Sequence, residues 1–67
     1  MKVMEFCQKH NISFKFRKDK DLNAYIFTFE KDGNYLEHAI HFEVFLTSIN
    51  IDEFLINKVK ETFKINE

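Results

Sequence analysis

Proline is absent from this chain, and glycine and cysteine occur once each in 67 residues. A single cysteine excludes a disulfide framework. A single glycine excludes a glycine-rich loop that cradles phosphate. Charge of one sign is lacking too, because ten basic residues face eleven acidic ones, for a formal net charge of −1. That balance argues against a dominant phosphate-binding surface and equally against an acidic mimic of DNA. Long apolar runs are also missing. Glu5, Gln8 and Lys9 interrupt the N-terminal segment before a signal-peptide core can form. No stretch approaches the length of a membrane span. The expected location is the cytoplasm, where a lone thiol stays reduced.

What is present is aromatic. Nine phenylalanines contribute to an aromatic fraction of 16%. A chain this short buries only about 60% of the surface its unfolded form exposes, so its stability margin is thin. Burying each Phe side chain adds roughly 1.5–3 kcal/mol. No repeat, linker or low-complexity tract divides the chain, so residues 1–67 are expected to form one domain. Phe, Ile, Lys and Asn supply 31 of the 67 residues. All four use AT-rich codons, which points to an AT-rich bacterial or phage genome, in the latter case with the host cytoplasm as location.

Periodicity supplies the fold class. Val3, Phe6, Cys7 and His10 share one face of a helix over residues 2–10, with Asn11 as its stop. Residues 12–17 alternate strictly, with Ile12, Phe14 and Phe16 inward. The polar run Lys18-Asp19-Lys20-Asp21 reads as a turn. Residues 22–30 form a second strand with Tyr25, Phe27 and Phe29 on one face. Asp32-Gly33 marks a tight hairpin, and residues 35–42 form a third strand. Centring that hairpin on Asp32-Gly33 pairs Phe29 with Leu36, Phe27 with His38 and Tyr25 with Ile40. A first turn over residues 18–21 pairs Phe14 with Tyr25 and Ile12 with Phe27. Both registers place the apolar set on one sheet face. Beyond Phe42, Val44 and Leu46 either continue the strand or residues 43–48 bend away as an irregular or helical turn. Asn50 with Glu53 reads as a capping box. It opens a helix over residues 51–64 with an apolar stripe of Ile51, Leu55 and Val59. The expected class is α+β: helix, three-stranded antiparallel meander, helix (αβββα), in two layers.

Few constellations carry chemistry. Cys7-x-x-His10 and His38-x-x-His41 have the residue types of a zinc site. Residues three apart on a strand point to opposite faces, so His38 and His41 should not converge. No metal or cofactor is therefore expected. Nothing marks an oxyanion hole, an acid–base pair or a strained nucleophile turn. We expect no enzymatic activity.

Two binding readings remain. By strand parity the second sheet face carries Leu22, Ile26 and Tyr35, joined by Phe45 if the third strand runs on. This apolar streak within a polar border has the composition of a contact surface. Self-association through it would add burial to a marginal domain. The leading expectation is a small protein-interaction or inhibitor module of phage or bacterial origin. It would act as a homodimer on an unidentified protein partner. In size and element order it resembles phage-borne inhibitors of host defence, including some anti-CRISPR proteins. The alternative is nucleic-acid binding through Lys15, Arg17, Lys18 and Lys20. The order helix, three strands, helix resembles double-stranded RNA-binding domains. Their lysine-rich start to the last helix is replaced here by Asn50-Ile51-Asp52-Glu53.

Overall fold

The computed structural model describes residues 1–47 and 50–66. Helix α1 (Val3–Lys9) leads into an antiparallel meander of β1 (Ser13–Asp19), β2 (Ala24–Lys31) and β3 (Asn34–His41). A short helix α2 (Phe42–Thr47) and a longer α3 (Ile51–Phe63) follow. The sheet order is β1-β2-β3, so β1 and β3 are both edges. This is the α+β arrangement that the alternation and helical spacing call for, with α2 added.

The helix ends follow backbone rules. Asn11 adopts a left-handed φ of 57° just past α1. The N–H of Ile12 donates to Cys7 O at 2.8 Å and that of Asn11 to Gln8 O at 3.4 Å. These two bonds close a Schellman motif and satisfy the last carbonyls of α1. Lys31 adds a cation there, its Nζ donating to His10 O at 2.8 Å. At the other end of α1, the N–H of Lys2 donates to Glu5 Oε1 and that of Val3 to Asp52 Oδ1, each at 3.0 Å. Asp52 belongs to the first turn of α3, so one carboxylate ties the two helices together. Asn50 is the N-cap residue of α3 but makes no side-chain capping bond, so the Asn50/Glu53 capping box does not form. Asn50 O instead accepts the N–H of Phe54 at 3.1 Å.

The second hairpin has the expected register: Phe29 opposes Leu36, Phe27 opposes His38 and Tyr25 opposes Ile40. Asp32 and Gly33 both have positive φ, 50° and 81°, the signature of a type I′ turn. The first hairpin differs from expectation. Phe14 opposes Phe29 rather than Tyr25, and Phe16 opposes Phe27. The strand continues through Lys18 and Asp19, and the loop is Lys20-Asp21-Leu22-Asn23. Asp19 Oδ1 accepts the Leu22 N–H at 3.2 Å, and Asn23 closes the turn at a φ of 53°. The displacement is an even number of residues, so side-chain parity survives and the inward set is unchanged.

The core lies between the sheet and the helices. Phe6, Phe29, Leu55, Val59 and Cys7 are its most enclosed side chains. α1 packs on β1 and on α3, which in turn reaches β3. The third strand stops at His41. The Phe42 N–H donates to Asn23 O at 2.8 Å, and the chain then coils as α2. Phe42 and Phe45, one helical turn apart, both pack on Tyr25, with ring centroids at 4.9 and 4.6 Å. Thr47 Oγ1 donates back to Glu43 O at 2.9 Å. Of the segment 43–48, Ser48 lies outside the described residues.

Candidate interaction surfaces

Rings run across the helix-side face of the sheet. Phe14 stacks on Phe29 at 5.1 Å and Phe16 on Phe27 at 5.7 Å, while Phe27 reaches Phe45 at 6.2 Å. Cover is uneven along this row. Phe29 is 0% exposed beneath the helices, whereas Phe16 is 57% exposed at the β1 edge.

The four residues of the expected apolar streak do not form one surface. Leu22 is exposed in the β1–β2 loop, and Tyr35 is exposed on β3 opposite Glu30. Ile26 points to the open face but is only 3% exposed, flanked by Arg17 and Ala39 in the central strand. Phe45 sits on the opposite side of the sheet, because α2 turns it onto Tyr25. The open face instead carries Lys15 and Arg17 from β1, Thr28 and Glu30 from β2, and Tyr35 and Glu37 from β3. Together they line a shallow depression of about 400 Å³. The Tyr35 hydroxyl donates to Glu37 Oε2 at 3.4 Å.

The basic residues divide by parity. Lys15 and Arg17 lie on the open face. Lys18 lies on the helix side, its Nζ 5.4 Å from the Phe42 ring centre, and Lys20 occupies the loop. Arg17 Nη1 meets Asp19 Oδ2 at 3.2 Å. The Leu22 N–H, followed by Arg17, holds the Asp19 carboxyl below its ordinary pKa.

The β3 edge has a different character. A groove of about 360 Å³ wraps it, lined by His38, Ile40, His41, Val44, Ile51 and Phe54 among others. Val44 and Phe54 stand 52% and 42% exposed along it. His38 sits against Phe54, ring centres 5.3 Å apart. Burial first, and then the Lys58 charge, lower the His38 pKa. Strand parity alone shows that groove residues come from both sides of β3. No short motif in the sequence signals the groove, which α2 and α3 create.

The cysteine and histidines do not converge. Cys7 is buried in the core, and desolvation pushes its thiol up to about 11. His10 packs against Phe6 with the rings tilted by 46° and their centres 4.4 Å apart. His38 lies at the core margin opposite Phe27, and His41 is exposed. Among the described residues, no three His, Cys, Asp or Glu side chains gather closely enough to hold a metal ion. No helix among them is long and apolar enough to cross a membrane. Comparison of the chain with protein families, curated proteins and solved structures gives no match.

Proposed function

We propose that this chain is a small non-enzymatic interaction module that pairs with a second copy along β3 and binds a further protein, masking or regulating it. The observation that carries the reading is the composition of the β3 edge. Its eight residues, Asn34–His41, contain no Pro, Lys or Arg, and Glu37 is their one formal charge. Edge strands that stay single are usually blunted by lysine, proline or shortness. β3 has none of these, and half-exposed Val44 and Phe54 border it. A two-fold pairing centred on His38 sets Leu36 of one protomer beside Ile40 of its partner. It brings no like charges together and yields a continuous six-stranded sheet. The added burial suits a domain with so little core. The cytoplasm, of a bacterium or of a phage host, fits such a module.

The test is sedimentation over a range of concentrations, comparing the wild type with Ala39→Glu, because the pairing centred on His38 sets position 39 directly opposite Glu37 of the other copy. Ala39 is exposed on β3, so the variant should keep the wild-type circular dichroism. The wild type should dimerise, and the two pairs of opposed carboxylates should weaken the dimer about tenfold or more. A wild type that stays monomeric at its highest soluble concentration ends the self-pairing reading. Nucleic-acid binding ranks second. Its four cations are spread over two faces and a loop, and Glu30 and Glu37 share the open face with Lys15 and Arg17.

A further inference from the structure

The second edge, β1, is as open as β3 but is built for a different occupant. We propose that it receives an extended acidic segment of a partner protein, which adds to the sheet as a further strand. This rests on the reading of the chain as an interaction module and names the partner's chemistry.

Three observations converge on β1. Its outer backbone groups face away from β2, because the sheet order places β1 at the margin. Its side chains are cationic along the free edge, with Lys15, Arg17 and Lys18 in the strand and Lys20 just beyond. Among the described residues, neither Lys15 nor Lys20 has an ion-pair partner. The one carboxylate in the strand, Asp19, is already engaged by the Leu22 N–H and by Arg17. Between the cations, Phe16 presents an apolar ring on the helix side, more than half of it open to solvent.

These features exclude a second copy of β1. Antiparallel self-pairing centred anywhere from Lys15 to Lys18 sets cation beside cation, which is destabilising for directly opposed residues. They also define the complement. An added strand alternates its side chains between the two faces. Positions sharing the open face with Lys15 and Arg17 must be acidic. Positions beside Phe14 and Phe16 must be apolar, with a further acid toward Lys18. Main-chain bonds supply affinity, and the alternation supplies specificity. A nucleic-acid strand fits less well. Spread over the sheet it would meet Glu30 and Glu37, whereas a peptide at the outer edge stays two strands away from Glu37.

The test uses a fluorescein-labelled peptide of about eight residues alternating glutamate and valine, read by anisotropy at low salt. Controls are a lysine–valine peptide, a glutamate–valine peptide N-methylated at alternate residues, and an oligothymidine of similar length. The glutamate–valine peptide should bind and weaken with salt, and the controls should not bind. Lys15→Glu and Phe16→Ser, both exposed positions, should each weaken binding about tenfold while leaving the circular dichroism unchanged. Absence of peptide binding, binding that survives N-methylation, or preference for the oligothymidine overturns the proposal. Sedimentation of the same samples separates the two readings. A dimer that ignores the peptide overturns strand addition alone, and a monomer that binds it overturns the β3 pairing alone.

Discussion

Phe29 and Phe16 make a controlled comparison inside one sheet. They are the same residue type, point to the same face and belong to the same row of rings, yet one is sealed and the other is 57% exposed. Phe29→Ala removes a fully enclosed ring and leaves a cavity, at a cost of about 3–5 kcal/mol. At roughly 0.05–0.15 kcal/mol per residue, a domain of this size has only about 3–10 kcal/mol in total. The variant should therefore lose from about a third of that stability to all of it at 25 °C. Phe16→Ala gives up less than half of a burial term of roughly 1.5–3 kcal/mol and leaves no cavity, so about 0.6–1.3 kcal/mol is lost. With a urea slope near 1 kcal/mol per molar, its midpoint should fall by about 1 M. The chain has no tryptophan, so far-ultraviolet circular dichroism is the appropriate signal. Measurements at micromolar concentration keep association out of the comparison. Equal costs at the two positions would refute the uneven cover of the sheet, and with it the exposed ring on which the β1 proposal depends.

Three further outcomes follow from local geometry. Gly33→Ala should cost about 1 kcal/mol through its φ of 81° alone, since nothing lies within 4 Å of the new Cβ, and Lys64→Gly should gain a similar amount by relieving a φ of 55° at the end of α3; paired urea melts read both. Asp52→Ala should cost about 1 kcal/mol by stripping the Val3 N–H of its acceptor, while Asp52→Asn, which keeps an oxygen there, should cost less in the same melts. Because the folded-state pKa of His38 is lowered, the unfolded chain binds more protons just below pH ~6.5, so this group's contribution holds above that value and is lost as pH falls toward the lowered pKa; His38→Gln should flatten that part of the stability profile, measured as urea midpoint against pH.

Element order and inward residues were legible because alternation and helical spacing are independent signals that agreed. The Asp32-Gly33 turn fixed its hairpin outright, since few residue pairs accept two positive φ values. The first hairpin was harder to read. Lys18-Asp19-Lys20-Asp21 offers four polar residues with no preferred centre. The decisive groups are the Asp19 side chain and the left-handed Asn23, the latter one residue beyond the apparent second-strand start. α2 was ambiguous because Val44 and Leu46 alternate like a strand, while Phe42 and Phe45 are spaced like a helix. Contact with Tyr25 decides between them, and that contact is tertiary. The same turn removed Phe45 from the expected streak. Ile26 shows why parity overstates exposure: in a three-stranded sheet the central residue is covered by its lateral neighbours even on the open face. The bond between Asp52 and Val3 spans most of the chain and leaves no local trace.

That bond also has a consequence for biosynthesis. α1 is made before α3, yet the Val3 N–H takes its acceptor from α3 and the first helix packs against that later one. Until α3 follows, the meander has emerged with its aromatic row uncovered and both margins open, and it is vulnerable to other nascent chains. Asp52 supplies the cap of the first helix, and Leu55 and Val59, one and two turns later, close the core, so the stretch of synthesis before them is when the aromatic row is most open to wrong contacts.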